Sequence, residues 1–458
     1  MITLKTKLEN HNATAAVIGL GYVGLPLAME IAGAGFKVIG VDLDGGKIAT
    51  LKQGKSYILD VPDKNIADAV RSGKFTPTTD FSALAKADTV SICVPTPLSK
   101  SRDPDISFIL SATEEIRKYL HRGQLIVLES TTYPGTTDEL IVPELESSGL
   151  KVGSDFCVAF SPERIDPGNA SFTTRNTPKI VGGITAQCTE IARLFYSQFI
   201  ESVIPVSSTK CAEMVKLLEN TFRSVNIGMV NELALMCDLL GVDVYEVIDA
   251  AATKPFGFSP FYPGPGLGGH CIPIDPHYLA WKLKALNFQA RFIALAAEIN
   301  GMMPAVVSTL VGDGLNRGSK SIRGSKIMIL GVAYKKDVSD CRESPALDVM
   351  RLLSEKGALL SYNDPLVPSV RLGGSTLKSV EANRANIAAQ DCVIILTDHS
   401  VYDIGEIVEA AKLVVDTRNA TQHLPAFKDR IIKLGAGNNP PSASHGDDYE
   451  ATVEIATH

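Results

Sequence analysis

Short apolar runs alternate with glycine turns and helix-compatible stretches in the first part of the chain. The run ATAAVIG at 13–19 enters a glycine-rich turn, an apolar helix-compatible stretch follows at 25–34, and the run FKVIGV covers 36–41. Further apolar runs that stop at clusters of polar and proline residues lie at 89–94, 125–128 and 156–160. Apolar strands that alternate with helices predict an α/β fold built on a parallel sheet.

A long apolar segment without proline covers 209–240, and its only glycine is Gly228. Apolar residues fall on nearly every face of a helix drawn through it, which predicts a long, largely buried helix that links domains and forms a subunit contact. Lys216 and Asn220 share one face of this helix, and Arg223 lies one turn further along. In a helix this apolar, we expect these polar side chains to point into a polar cavity.

A second α/β pattern begins at KIMILG (326–331) and continues with strand candidates at 359–364 and 392–397. It lacks a GxGxxG turn, so we expect it to share the nucleotide fold and bind a different ligand. Lys335 and Arg342 follow its first strand and could hold phosphates. The predicted fold class is therefore α/β, with two Rossmann-like doubly wound parallel-sheet domains joined by a long central helix.

The turn after the first strand reads GLGYVG, and the second strand ends at Asp42. Strand, glycine turn, helix and an acid about 20 residues further on are the arrangement in which a helix N-terminus meets a pyrophosphate and the acid binds the ribose. Because Asp42 would repel a 2′-phosphate and no arginine stands next to it, we predict NAD as the cofactor rather than NADP. The cofactor-binding candidates are Gly19, Gly21, Tyr22, Val23, Gly24, Asp42, Pro95, Thr96 and Thr131.

A loop rich in glycine and proline covers 263–277 and carries Cys271, with Asp275 four residues later. Its glycines, among them Gly266 and Gly268, can adopt positive φ and let the backbone approach a ligand closely, while the prolines restrict the flanks. A cysteine held there beside an acid is a candidate activated nucleophile. The alternative is a buried structural cysteine in a turn.

Composition narrows the classes of function. A chain of 458 residues suggests roughly three domains. The net charge of −7, without a run of lysine and arginine, does not favour nucleic-acid binding. Eight cysteines without a CxxC pair argue against a disulfide framework and against a cysteine-rich zinc site. Without a run of about 18 apolar residues or a signal-peptide core, we expect a cytosolic protein that does not bind membranes.

Taken together, these motifs resemble the UDP-glucose/GDP-mannose dehydrogenase family over about 13–418. The matching motifs occur in family order: GLGYVGLP at 19–26, VPTP at 94–97, SPER at 161–164, Lys216 with Asn220, GGHC at 268–271 with Asp275, and 335–345. The resemblance implies a dimer that oxidises the C6 hydroxyl of a nucleotide sugar to a carboxylate in two hydride transfers to NAD. It also implies that Cys271 is the nucleophile.

The resemblance assigns a candidate residue to each chemical step. Asp275, through a water and with Lys216 close by, serves as base in the first oxidation. Lys216 and Asn220 stabilise the oxyanion that forms when Cys271 adds to the aldehyde. Glu163 then activates the water that hydrolyses the thioester. The catalytic candidates are Cys271, Lys216, Asn220, Asp275, Glu163 and Thr131. The substrate-binding candidates are Glu163, Arg164, Lys216, Asn220, Arg223, Gly266, Gly268, Lys335 and Arg342.

The cysteine loop departs from the UDP-glucose members of the family. Those members carry serine, phenylalanine and lysine where this chain has His270, Ile272 and Ile274, and the loop resembles the branch that acts on UDP-2-acetamido sugars. We expect His270 to be structural and the substrate to be UDP-N-acetylglucosamine, for polysaccharide biosynthesis. UDP-N-acetylmannosamine, UDP-N-acetylgalactosamine and UDP-glucose are the alternatives. Sequence alone does not show which epimer a pocket rejects.

Two readings from other classes are weaker. A zinc alcohol dehydrogenase would use Cys271, Asp275 and His277, but their spacing fits no common zinc site. A non-catalytic NAD sensor would leave Cys271, Lys216 and Glu163 unexplained.

With the family resemblance, the predicted domains are an NAD-binding Rossmann domain at 1–205, a central helical dimerisation domain carrying the cysteine loop at 206–310, and a C-terminal UDP-binding domain at 311–435. The polar stretch at 436–458 is expected to be a mobile tail. The expected partners are a UDP-sugar substrate and further copies of this chain, as a homodimer or a higher homo-oligomer.

Overall fold

The computed structural model describes residues 2–58, 61–99, 103–165, 171–269 and 271–437. The chain forms two compact units. The first unit contains 1–221 and 274–290, and the second contains 222–273 and 291–458. His270 and the segment 438–458, where we expect a mobile tail, lie outside the described residues.

The α-helices of the described residues are, in chain order, α1 (Ile2–Glu9), α2 (Gly24–Gly33), α3 (Gly45–Lys52), α4 (Asp63–Arg71), α5 (Ser107–Tyr119), α6 (Val142–Glu146), α7 (Ala186–Tyr196), α8 (Thr209–Leu240), α9 (Val244–Ala252), α10 (Asp275–Lys284), α11 (Arg291–Arg317), α12 (Pro345–Glu355), α13 (Arg384–Ala388) and α14 (Ile404–Ala410). The strands are β1 (Thr14–Ile18), β2 (Lys37–Val41), β3 (Phe75–Thr78), β4 (Thr89–Ile92), β5 (Leu125–Leu128), β6 (Cys157–Phe160), β7 (Lys179–Gly183), β8 (Val203–Pro205), β9 (Lys326–Leu330), β10 (Leu359–Asn363), β11 (Ser369–Leu372), β12 (Ser375–Lys378), β13 (Cys392–Ile395), β14 (Val414–Asp416) and β15 (Ile431–Lys433).

The first unit is built on an eight-stranded sheet in the order β3-β2-β1-β4-β5-β6-β7-β8. Every pair is parallel except β6 with β7, which is antiparallel. Strands β4, β5 and β6 are buried at every position, because helices cover both faces of a doubly wound sheet. The strand order reverses between β1 and β4, so the carboxyl ends of these two strands mark the ligand crevice.

The second unit has a five-stranded parallel sheet in the order β10-β9-β13-β14-β15. The antiparallel hairpin β11-β12 lies beside it. Its order reverses between β9 and β13, as in the first unit. Helix α12 begins with Pro345 at its first position, and the side chain of Ser344 accepts the backbone N–H of Ala346 as N-cap. Both units thus have the doubly wound parallel sheet that the apolar runs predict.

The central helix α8 has the predicted bounds, but the prediction that it is largely buried is wrong for one face. Its exposed apolar side chains are Met214, Leu218, Phe222, Met229, Met236, Leu239 and Leu240. At 3.6 residues per turn these positions fall within about 100° of one another around the helix axis. Apolar residues on every face predict complete burial only where other residues cover every face, and the described residues of this chain leave one face of α8 uncovered.

Within the described part of the chain, helix α11 is long and apolar enough to cross a membrane by length and composition alone. Half of its most apolar window is buried inside the structure. It packs against α12 and β14 of the second unit. Core helices pass the same test, so the expectation of no membrane partner stays a prediction, as do the four predicted domain ranges.

Candidate active site

The glycine turn between β1 and α2 uses its three glycines in different ways. Gly19 has a φ of +90°, and a Cβ there would lie 2.4 Å from the carbonyl oxygen of Cys93. A Cβ on Gly24 would lie 1.8 Å from the carbonyl oxygen of Gly19. A Cβ on Gly21 would meet nothing within 4 Å. The first and third glycines therefore allow the strand and helix to pack, and the second leaves space where a pyrophosphate can approach the backbone.

Asp42 at the end of β2 is tied to this turn. Its Oδ2 accepts the backbone N–H of Leu20 at 2.9 Å, and its Oδ1 accepts that of Asp44 at 2.9 Å. The ammonium of Lys47, which the sequence analysis missed, lies 3.4 Å from Oδ2. Asp42 thus shapes the turn, and its role as an acceptor for the ribose stays a prediction.

The other cofactor-binding candidates lie at the crevice edge of the same sheet. Tyr22 and Pro95 are exposed, and Val23, Thr96 and Thr131 are partly exposed. The carbonyl of Thr96 accepts a hydrogen bond from the hydroxyl of buried Tyr278 on α10.

A buried polar cluster joins α8 to the start of α10. Asp275 is 1% exposed, and its Oδ2 accepts a hydrogen bond of 2.6 Å from the side-chain amide of Asn220. Burial raises the pKa of Asp275 to about 6, against the opposing effects of the Lys216 ammonium and the Asn220 hydrogen bond. Lys216 is itself 8% exposed. Asn220 is partly exposed and Arg223 is exposed, so the polar cavity expected for Lys216, Asn220 and Arg223 stays a prediction.

Glu163, just after β6, is held on both carboxylate oxygens. Its Oε1 accepts the backbone N–H groups of Arg164 and Ile165, each at 2.8 Å, and its Oε2 accepts from the ammonium of Lys179 at 3.1 Å. Burial acts to raise the pKa of Glu163, but Lys179, Lys216 and these hydrogen bonds outweigh it and hold the pKa below its usual range. Glu163 is therefore a buried carboxylate that stays ionised.

Arg164 is engaged within the protein. Its guanidinium pairs with Glu219 of α8 at 2.6 and 3.3 Å and also donates to the carbonyl of Pro178. This bidentate ion pair holds the segment 161–164 against α8. A substrate-binding role for Arg164 would need part of this pairing to open.

The sequence analysis missed a buried chain of groups behind Glu163. Lys179 also pairs with Glu129 at 2.6 Å, and the hydroxyl of Tyr196 donates to the other oxygen of Glu129 at 2.6 Å. Lysine and glutamate are almost never fully buried unless paired, so these residues carry no signal in a single sequence. The only indication in the sequence is their position at strand ends. Lys179 begins β7, and Glu129 directly follows β5.

In the second unit, the glycines of the cysteine loop pack against protein. A Cβ on Gly266 would lie 3.1 Å from the side chain of Pro345, and one on Gly268 would lie 2.7 Å from the Cβ of Tyr334. The backbone N–H of Gly269 donates to the carbonyl of Arg342. The expectation that these glycines serve approach to a ligand is thus incomplete, because they fit the loop onto the segment 334–345. Cys271 is partly exposed, which does not favour the alternative of a buried structural cysteine.

The phosphate-binding candidates of the second unit differ in environment. Lys335 is partly exposed, and Arg342 is exposed and pairs with Asp340 at 2.7 Å. A third cation, Arg418 after β14, was missed by the sequence analysis. Its Nε donates to the carbonyl of Leu396 at 2.8 Å, and burial lowers its pKa. This partly exposed arginine beside the loop at Gly264 is a further candidate for binding an anionic ligand.

The segment that carries Lys335 is anchored at the carboxyl edge of the second sheet. Asp364 accepts the backbone N–H groups of Val332 and Ala333, and His399 accepts that of Asp337. Nε2 of His399 lies 3.1 Å from Asp364. Among the residues that the structure describes, no group of three His, Cys, Asp or Glu side chains could hold a metal ion.

Three models of one family match the chain in order. They are the NAD binding domain of the UDP-glucose/GDP-mannose dehydrogenase family at 13–200, its central domain at 210–302 and its UDP binding domain at 328–423.

Relatives with named substrates are similar over most of the chain. The UDP-N-acetyl-D-mannosamine dehydrogenase of Methanococcus maripaludis strain C7 is 36% identical and aligns over 92% of this chain and 97% of its own length. The UDP-N-acetyl-D-glucosamine 6-dehydrogenase of Pseudomonas aeruginosa is 37% identical, over 77% of this chain and 82% of its own. A solved UDP-D-ManNAc dehydrogenase from Pyrococcus horikoshii has a TM-score of 0.85 and 33% identity, covering 93% of this chain and 99% of that one.

Proposed function

The chain belongs to the UDP-glucose/GDP-mannose dehydrogenase family, and we propose that it oxidises the C6 hydroxyl of a UDP-2-acetamido sugar to a carboxylate in two hydride transfers to NAD. Membership makes it an NAD-dependent UDP-sugar dehydrogenase with a UDP-binding domain. The observation that best supports the proposed chemistry is the buried cluster of Asp275, Asn220 and Lys216. A carboxyl group with a pKa near the operating pH is suited to accept a proton.

In the first oxidation, we assign Asp275 as the base. It takes the proton of the C6 hydroxyl, directly or through a water, as the alcohol gives up a hydride and becomes the aldehyde. When bound, NAD supplies the hydride acceptor, and the turn at Gly19, Gly21 and Gly24 with Asp42 would hold it. Lys216 and the side-chain amide of Asn220 supply the positive charge and the donor that stabilise the developing oxyanion.

In the second oxidation, we assign Cys271 as the nucleophile. Its thiolate adds to the C6 aldehyde and forms a thiohemiacetal. Oxidation of the thiohemiacetal to a thioester gives up a second hydride, for which a second NAD would be the acceptor. The ionised carboxylate of Glu163 then takes a proton from a water that attacks the thioester carbonyl, with Thr131 beside it. The carbon–sulfur bond breaks, and Cys271 leaves as the thiolate.

For the nucleotide, we assign Lys335 and Arg342 to the diphosphate and add Arg418. Each lies near the carboxyl edge of the second sheet, where open α/β sheets bind ligands. Arg418 is the strongest of the three, because its partly buried guanidinium has no carboxylate within salt-bridge distance among the described residues, which favours an anion from outside.

For the sugar, UDP-N-acetylmannosamine becomes the first candidate, with the predicted UDP-N-acetylglucosamine second. The relatives that align over nine tenths of the chain carry the mannosamine name, whereas the glucosamine enzymes align over about three quarters. The two sugars differ at one stereocentre, so discrimination depends on a few hydrogen bonds. Comparing kcat/KM for both epimers, UDP-N-acetylgalactosamine and UDP-glucose tests this order. A preference for UDP-glucose would contradict the proposed branch.

We also propose that the chain assembles as a homodimer through the exposed apolar face of α8. Contiguous exposed apolar surface of this kind marks protein contacts. Its side chains Phe222, Met229 and Met236 recur every seven residues, the spacing at which two helices pack along a seam.

The covalent mechanism is tested with Cys271→Ala and Cys271→Ser. Both variants should form no acid, because no thiohemiacetal can link the two hydride transfers. Quantitative acid formation by the alanine variant would end the covalent mechanism. Unchanged NAD binding, measured by fluorescence titration, is the control for folding of the first unit.

A further inference from the structure

We propose that Lys179 is a positioning residue for Glu163, and that the buried chain Tyr196–Glu129–Lys179 exists to hold Glu163 in place and ionised for hydrolysis of the thioester. The inference rests on the proposed function, in which Glu163 activates the hydrolytic water. It goes beyond that function by assigning three residues that touch neither substrate nor cofactor in the proposed mechanism.

The contacts form one continuous path. The hydroxyl of Tyr196 donates to Glu129 at 2.6 Å, the ammonium of Lys179 donates to the other oxygen of Glu129 at 2.6 Å, and the same ammonium donates to Glu163 at 3.1 Å. The side chains of Lys179, Glu129 and Glu163 are 5%, 0% and 7% exposed. Residues from α7, from β7 and from the position after β5 thus form one hydrogen-bonded path, which ends on Oε2 of Glu163.

The other oxygen of Glu163 is fixed separately. It accepts the backbone N–H groups of Arg164 and Ile165, which point from the segment just after β6. With Oε1 occupied by two amides, Oε2 is the oxygen left to take a proton from water. Lys179 uses one side of Oε2, so it sets the direction in which the remaining lone pair faces.

The charges of the cluster explain why a lysine is needed there. Glu129 and Glu163 are two buried carboxylates that share a single ammonium, and Lys216 faces Glu163 from α8. Two carboxylates at one buried site do not both ionise without a cation. Cys93, which has a pKa raised by burial, and Tyr196 are the other titratable groups that face the cluster, and both are neutral.

Stability alone is a poor explanation for this arrangement. Burying an ion pair costs desolvation energy that the attraction between the charges barely offsets, and apolar replacements of similar volume are often as stable. Because the network ends on one oxygen of Glu163, its effect on the position and the ionisation of that carboxylate is the better explanation.

The test compares Lys179→Met and Lys179→Arg with wild type and with Glu163→Gln, using purified full-length protein, NAD and the preferred UDP sugar. Lys179→Met should release two NADH per active site in a rapid first turnover. Its steady-state rate at pH 7.5 should then be ~10–100-fold below wild type, because the carboxyl group is protonated and misaligned. Lys179→Arg should restore most of the rate.

Two readouts separate positioning from loss of structure. Intact-mass spectrometry during turnover should show the sugar acyl adduct on Cys271 in Lys179→Met and in Glu163→Gln, and none in wild type. The acid limb of the pH profile for thioester hydrolysis, measured as decay of the acyl adduct in rapidly quenched single turnovers so that Asp275 does not contribute, should move to higher pH in Lys179→Met. In Glu129→Gln it should move to lower pH, because Lys179 then serves Glu163 alone.

Each outcome decides between the proposals. If Glu163→Gln turns over like wild type and forms no adduct, the proposed role of Glu163 is wrong. If Glu163→Gln accumulates the adduct and soluble, folded Lys179→Met does not, the positioning proposal alone is overturned. Should Lys179→Met fail to fold, Glu129→Gln decides, and an acid limb that stays at the wild-type pH overturns the proposal.

Discussion

In the first unit, the surroundings of two carboxyl groups shift their pKa values in opposite directions. Burial raises the pKa of Asp275 to about 6, since the Lys216 ammonium and the Asn220 hydrogen bond do not offset desolvation. Burial also acts on Glu163, but two lysines and backbone amides lower its pKa below the usual range. Pairs of acids whose environments separate their pKa values take different roles in catalysis. The proposed base for alcohol oxidation and the proposed base for hydrolysis fit this rule.

The raised pKa of Asp275 predicts a pH-dependent stability cost. Its folded pKa of about 6 lies above the usual aspartate pKa of about 3.9, so the folded state binds the proton more tightly than the unfolded state. Ionisation therefore removes stability as the pH rises from about 4 to about 6, by at most ~3 kcal/mol. Asp275→Asn keeps an acceptor for Asn220 and carries no charge.

The melting temperature of Asp275→Asn relative to wild type should increase across that window and remain higher at pH 7.5, while its acid-forming activity is lost. Thermal unfolding of both proteins at several pH values measures this. A difference between the two that does not change with pH would show that Asp275 does not titrate in the folded chain near pH 6.

The turn between β1 and α2 predicts that two glycine substitutions in the same helix differ in their effect on stability. Gly24→Ala places a methyl group 1.8 Å from a backbone oxygen, so it should destabilise the first unit by ~3 kcal/mol or more. Gly33→Ala, at the other end of the same helix, meets no atom within 4 Å and should be neutral or stabilise by up to ~1 kcal/mol. Urea unfolding of both variants checks this, and equal effects would mean that the turn is placed wrongly.

Most of the elements could be predicted from the sequence, and part of the site could not. The strands at 125–128 and 326–330 follow directly from apolar runs, because fully buried strands leave a continuous hydrophobic signal. Lys179, Glu129 and Arg418 gave no such signal, since burial of a charged side chain is decided by partners distant in sequence. For the same reason, Gly268 and Gly269 could not be assigned to packing against Tyr334 before the fold was known.

The exposed apolar face of α8 predicts that the protein assembles as a homodimer through this helix. Met229→Glu with Met236→Glu places two charges in the proposed seam, and should shift the protein to a smaller species in size-exclusion chromatography with light scattering. Both methionines are about half exposed in the single chain. Val401→Glu, a 73% exposed apolar side chain away from this helix, is the matched control and should leave the assembly unchanged. If the double variant keeps the molecular mass of the wild-type assembly, the interface lies on another surface.

The proposed reaction is a four-electron oxidation of a UDP-2-acetamido sugar, so the decisive measurement is the ratio of NADH formed to sugar consumed. Purified protein is incubated with NAD and each UDP sugar in turn, NADH is counted by absorbance, and the product is identified by mass. We expect two NADH per sugar and a product with one more oxygen and two fewer hydrogen atoms, from UDP-N-acetylmannosamine or its glucosamine epimer. One NADH per sugar, with an aldehyde as the released product, would contradict the account.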